Sequence, residues 1–437
     1  MTVNRRDVLA YASAAALTGS GARAQPMPVV SSMVPQGMGA GPLPVGAPWG
    51  ASLDLSFMVP GALDPRITFT RASTGTYFNS AGVMQTAAAN APRIEPRGLL
   101  IEEARTNLLF QSGDLSNTNY SSYQVATLTG NAVTSPDGAL HGTQITTSGA
   151  PGGQYNGPAN PVVQTNGAVQ TASCFFKWIS GPTTLELAVA GQASFGDANG
   201  DRTVLLNGQT GAFISKSVGV SSYSITSVGN GWWRVTGTFT PTVSNPNGAI
   251  AAYGTTAGTT FAVWGIQMEA GAFPTSYVPT TTASVTRSAD LASMPTAAWF
   301  SATNGTYQAE FIPNGVASGL PIIIGGNAGS PTIATGADSR LTAGIRSGAS
   351  VFSATGPLYT FGAVNKAAFA YLSGASNAAV NGTAFGPNAA AFTVTGTVVE
   401  LGSDGVTPGA NALNGWLRRA RYWPRVLSNT EMQQVTT

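Results

Sequence analysis

Charge is what this chain of 437 residues lacks most: Asp, Glu, Lys and Arg make up 9% of it, against about 25% of an average globular protein. Twenty basic residues against 18 acidic ones leave a net charge of +2. That supplies no field able to gather nucleic acid. A single cysteine, Cys174, excludes an intrachain disulfide and a cysteine-built metal site. A single histidine, His141, would have to serve any serine triad, and no Gly-x-Ser-x-Gly elbow accompanies it. No run of about 18 apolar residues occurs, so no segment reads as a membrane-spanning helix.

Gly (54 residues), Ser, Thr, Asn and Ala stand where charge would be. Hydrophobic residues at 43% and aromatics at 9% are enough for real cores. Disorder goes with high net charge and few aromatics, so a folded, turn-rich β-protein with a polar, uncharged surface is expected. At about 150 residues per domain the length fits roughly three domains.

The amino terminus reads as a targeting segment. Arg5-Arg6 precede a weakly hydrophobic, Ala-rich run from Val8 to Leu17, and Ala22-Arg23-Ala24 offers the small residues of a cleavage site. Asn4-Arg5-Arg6-Asp7-Val8-Leu9 looks like a twin-arginine export signal. Residues 1–24 are therefore expected to be a signal peptide and the mature protein to be periplasmic or extracellular. Residues 25–50, Pro/Gly-rich and uncharged, read as linker.

Three β units follow. Residues 51–110 form a small leader of short strands, with Ile67-Thr68-Phe69-Thr70-Arg71 alternating and Asn79-Ser80-Ala81-Gly82 a hairpin turn. In residues 111–290, strand parity separates inside from outside. Ala172, Cys174, Phe176 and Trp178 share a core face, as do Leu185, Leu187 and Val189. In Trp232 to Thr240, Trp233, Val235 and Phe239 face the core. Trp232 and Arg234 then lie on the opposite face, beside Thr236, Thr238 and Thr240. In residues 291–437, Tyr307, Ala309 and Phe311 face in, and Ser428-Asn429-Thr430-Glu431 is a helix capping box.

Catalytic apparatus is sparse. Glu310 and Glu400 are isolated on their strands, and Glu102 and Glu103 are adjacent, so no pair is placed for glycoside hydrolysis. His141 reads as a loop residue and Cys174 as an inert buried thiol. Asp197-Ala198-Asn199-Gly200-Asp201 is the nearest approach to an oxygen cluster and is explained by turn chemistry. No metal and no cofactor is expected. Glycan binding asks for less: an aromatic face and hydrogen-bonding groups around it. Trp232 with Arg234 is the leading candidate, with Tyr120, Tyr123 and Tyr155 as loop contributors, Tyr123 and Tyr155 foremost. Arg418, Arg419 and Arg421 read as charges that protect an edge strand, with a bulge or an irregular edge expected there because Leu417 and Tyr422 differ in parity.

Several phrases resemble a known family. "ITFTRASTGTYFNSAGVM" (67–84), "GLLIEEARTNLL" (98–109) and Val263 to Gly271, running on to Asp290, resemble the carbohydrate-binding-like β-sandwich proteins of phage tail and head fibres. Leu413 to Ser428 resembles the closing strand of laminin-G-like, concanavalin A-like lectin domains, although Arg418 and Arg419 stand where that strand usually carries an acidic residue. The resemblance implies an all-β chain, a jelly-roll sandwich followed by a concanavalin A-like sandwich. It also implies a non-catalytic role in binding polysaccharide or cell-surface glycan, and a trimer if fibre-like. A tail-fibre component of a virion and a polysaccharide-degrading glycosidase are the alternatives. The twin-arginine segment is discordant with the virion.

Overall fold

Two antiparallel sandwiches make up a computed structural model that describes residues 50–59, 61, 63–157, 159–190, 202–315, 322–335, 339–346, 350–355, 358–404 and 411–437. The signal-peptide and linker readings, and Asp197 to Asp201, lie outside the described residues. The chain is all-β, as its alternating patterns require.

The first sandwich is a jelly roll. One sheet has six strands in the order Val220–Gly229, Trp232–Phe239, Gln170–Ser180, Thr260–Ala270, Leu140–Thr147 and Val125–Thr134. The other runs Phe213–Lys216, Arg202–Asn207, Thr184–Ala190, Asn245–Gly254, Gly152–Asn156 and Tyr120–Tyr123, with Val162–Gln164 also on Asn245–Gly254. Ala172, Cys174 and Phe176 from the first sheet meet Leu185, Leu187 and Ile250 from the second in one buried core. Alternation of apolar and hydroxyl side chains along these strands is what commits each to one inward face.

The second sandwich draws on both ends of the chain. Its larger sheet runs Thr383–Asn388, Ser376–Val380, Asn365–Leu372, Asn304–Pro313, Gly415–Trp423, Gly98–Ile101 and Ile94–Glu95, with Leu53–Ser56 also on Gly415–Trp423. The facing sheet begins Thr68–Thr70, Leu291–Pro295, Val398–Leu401 and Ile322–Gly326. The leader is therefore not a unit of its own. Leu53 pairs with Tyr422, Leu100 with Trp416, Phe69 with Ala292, and Thr106 with Thr286. Strands of three or four residues cannot bury a face alone, so they complete sheets whose other strands lie about 180 to 370 residues away.

Gly415–Trp423 is correspondingly central, not an edge. The expected bulge is there: Glu310 pairs with Arg419 and Phe311 with Leu417, which leaves Arg418 as the extra residue. Its arginines are held by carboxylates, Arg418 by Glu310 at 2.6 Å, and Arg419 and Arg421 by Asp54 at 2.5 and 3.4 Å. The helix Asn429–Thr436 carries the capping box, with Ser428 Oγ accepting from the Glu431 amide and a Glu431 carboxylate oxygen accepting from the Ser428 amide. Its Met432 and Val435 pack on Ala368, Ala370 and Ala379.

Candidate functional site

The strand Trp232–Phe239 carries the arrangement read from its sequence, but its outer face is not open. Trp232 is 1% exposed. It packs with Met84, Phe175, Trp264 and Tyr277, with Phe78 and Val133 alongside, and its indole N–H donates to the Thr134 carbonyl at 3.0 Å. The hairpin of Gly75–Phe78 and Met84–Ala87 supplies that cover. Trp232 is core, and its ring is not available to a sugar. Parity places a side chain on a face; it does not reveal a segment 150 residues upstream folding over that face.

Beyond Trp232 the cover ends and the polar face opens into a recess of about 360 Å³. This is within the range of small-molecule sites, which run from about 300 to 1,000 Å³. Arg234 and Thr236, with Thr226 and Ser224 paired opposite them, form one wall. Half-buried Tyr77 and Phe78 come from the hairpin, and Trp416 from the second sandwich. Arg234 donates to Ser173 Oγ at 3.1 Å and to the Thr275 carbonyl at 2.7 Å. Its Nε is buried without a hydrogen-bond partner.

Trp416 belongs to the row Leu100–Trp416–Ile312 on the outer face of the larger sheet. Its indole N–H donates to Glu95 at 2.8 Å, and the Arg97 guanidinium lies over its ring, 4.8 Å from the centroid. Arg97 reaches there because Pro96 and Arg97 form a two-residue turn between paired Glu95 and Gly98. Gly98 has φ +128°, and a Cβ on it would come within 2.5 Å of the Leu417 carbonyl oxygen. Only glycine lets the turn press so close to that strand.

Beneath the recess lies a buried ionic cluster. Asp290 pairs with Arg71 at 3.0 Å, with Arg93, and with Arg287 at 3.7 Å. Glu102 pairs with Arg93 at 2.8 Å and Arg287 at 3.5 Å, and its carboxylate also accepts from the Ser276 amide and hydroxyl. Burial works to raise the Glu102 carboxyl, but Arg287, Arg93 and Ser276 together bring it down to about 2. Glu95 goes the other way. Burial raises it, only partly opposed by hydrogen bonds from the Phe78 amide and Trp416. These residues are the ones in the phage-fibre-like phrases: Arg71, Glu102, Arg287 and Asp290 tie the leader to the connector between sandwiches. Thr275 and Val278 of that connector donate from their amides to Glu269 and Gln267.

Tyr123 and Tyr155 lie elsewhere, on the outer face of the seven-stranded sheet. Tyr123 and Tyr253 both pair with Gly153, and Tyr155 is two residues further along. The Tyr123 and Tyr253 rings are 6.4 Å apart at 54°, and Tyr123 is 46% exposed. Tyr120 is buried, its hydroxyl donating to the Phe110 carbonyl. Tyr253 was missed, though the alternation of Ile250 and Ala252 with Ala251 and Tyr253 carried the signal. Thus Arg234 stands in the recess, the two tyrosines on the opposite face of the same sandwich, and Trp232 in neither. Cys174 is buried, which pushes its thiol well up, and His141 is an exposed partner of Asp137 at 2.8 Å. Among the described residues no group of three His, Cys, Asp or Glu could hold a metal ion.

Neither a family model nor a curated protein matches this sequence. Among solved structures, Trypanosoma rangeli sialidase in complex with sialic acid aligns at 9% identity and a TM-score of 0.27, over 67% of this chain and 60% of that one. The CBM22-1–CBM22-2 tandem of Paenibacillus barcinonensis Xyn10C aligns at 10% identity and a TM-score of 0.27, over 74% and 96%. Alignments this loose carry no argument about the site.

Proposed function

We propose that this is a non-catalytic glycan-binding protein, and that the recess where the two sandwiches meet holds the saccharide. One observation carries the reading. The rings of Tyr77, Phe78 and Trp416 and the hydrogen-bonding groups of Ser224, Thr226, Thr236 and Arg234 line one cavity of sugar size. Aromatic faces take the apolar side of a pyranose, while hydroxyls and guanidinium groups take its hydroxyls. The ancestry read from the phage-fibre-like and laminin-G-like phrases agrees with this role. So does the export expected from the segment at Arg5-Arg6, which would bring the protein to extracellular or cell-surface polysaccharide.

A glycosidase is the second reading, because Glu95 and Glu102 both line the recess with acidities displaced in opposite directions. Such a pair is how an acid and a base are commonly divided. Against it, both come from the same leader hairpin. Glu102 is held by two guanidiniums and Ser276, and Glu95 by Trp416 and the Phe78 amide.

Retention on a panel of bacterial polysaccharides, with a reducing-end assay on the same panel, tests both. Retention without new reducing ends is expected. Release of reducing ends that Glu95→Gln abolishes would replace the binding reading with the hydrolytic one. Mass spectrometry of the secreted protein should find a mature terminus near Gln25; an uncleaved chain held in the cytoplasm would favour the virion component.

A further inference from the structure

Resting on the glycan reading of the recess, we propose that its ligand is an acidic saccharide, a uronic-acid-type unit whose carboxylate is taken by Arg97. Arg97 lines the recess, is exposed, and makes no ion pair or hydrogen bond among the described residues. The other arginine of the lining, Arg234, has its Nη2 held by Ser173 and the Thr275 carbonyl. The Arg97 guanidinium, whose N–H groups form a planar fork, lies over the Trp416 ring with Cζ 4.8 Å from the centroid. That fork is the geometry that takes a carboxylate through two parallel hydrogen bonds. Its position is built: Pro96 restricts the turn, and Gly98 permits the approach to Leu417.

The surrounding charge favours an anion too. The ion-paired floor holds three guanidiniums, Arg71, Arg93 and Arg287, against two carboxylates, Glu102 and Asp290. The remaining carboxyl of the lining, Glu95, is raised by burial, and its two oxygens already accept from the Phe78 amide and the Trp416 indole. A neutral sugar would find the hydroxyl wall but leave Arg97 unanswered. A uronate uses both.

The test is calorimetric titration at low salt with oligogalacturonate, oligomannuronate and oligoglucuronate, each beside its carboxyl-reduced counterpart. At least one acid should bind about tenfold tighter than its reduced form, a difference of the size expected for one charge-assisted pair. Arg97→Gln should abolish that preference while leaving affinity for the reduced form within about twofold, and Arg97→Lys should restore only part of it. Because Arg97 is exposed, melting curves of both variants should overlay the parent. Equal binding of acid and reduced forms by the parent, or a preference that survives Arg97→Gln, would overturn the inference and leave glycan binding standing. Binding of no member, acidic or reduced, would contradict both.

Discussion

The two outer faces of the first sandwich differ in what lies over them. On the seven-stranded side, Tyr123, Tyr155 and Tyr253 leave the core by strand alternation, and Tyr123 reaches solvent. On the six-stranded side, Trp232 and Phe175 leave the core by the same rule and are buried again under the leader hairpin. Only past that cover does the face become a recess, walled by Arg234 and hydroxyls. Leaving one core is therefore not the same as reaching water. A second segment can turn an outward ring into the centre of another cluster, and the gap at that segment's end is left as a recess.

Removing what fixes the cover should do most damage. Asp290→Ala leaves Arg71, Arg93 and Arg287 without their shared carboxylate. Losing one partner of a buried ion pair costs about 3–5 kcal/mol, so the midpoint of denaturant unfolding should fall accordingly. A loss under about 1 kcal/mol would mean that the cluster does not hold the leader down.

Trp232→Ala and Tyr123→Ala break the comparison directly. The first empties a buried site, at a cost of about 3–5 kcal/mol in cores; the second trims an exposed ring and should cost within about 0.5 kcal/mol. Similar losses for the two would refute the covered face. Acid comes next. Glu102 has its folded value depressed to about 2 from an ordinary 4.5, so its contribution is complete above pH 4.5 and is lost as pH falls toward 2. The full loss is about 3 kcal/mol. Glu102→Gln should be less stable at pH 7 and should flatten that part of the acid-unfolding profile; an unchanged slope would contradict the pairing. The smallest effect is expected from Tyr253→Ala, with stability within about 0.5 kcal/mol and oligosaccharide affinity within about twofold, because the tyrosine face lies across the sandwich from the recess.

Much of the fold was legible because alternation is local. Cys174 beside Phe176, Leu185 to Val189, Tyr307 to Phe311 and the cap at Ser428 all stand as their sequence pattern placed them. What spacing cannot carry is pairing at long range. Nothing in Leu53 to Ser56 names Tyr422 as the opposite of Leu53, so a leader that completes the second sandwich looked like a unit of its own. The site suffered the same way. The shared face of Arg234 and Thr236 was legible from one strand, while Ser224 and Thr226 come from its neighbour and Tyr77, Phe78 and Trp416 from segments about 150 residues before it and 180 after. The fibre-like phrases turned out to hold the junction together through Glu102, Arg287 and Asp290.

The most direct measurement is paired titration of one retained oligosaccharide against two double variants, Tyr77→Ala with Thr226→Val in the recess and Tyr123→Ala with Tyr253→Ala on the outer sheet. The recess variant should lose at least about tenfold in affinity, or about 1.4 kcal/mol, while the tyrosine variant stays within about twofold of the parent. The reverse order would put the saccharide on the open face and contradict a site at the junction.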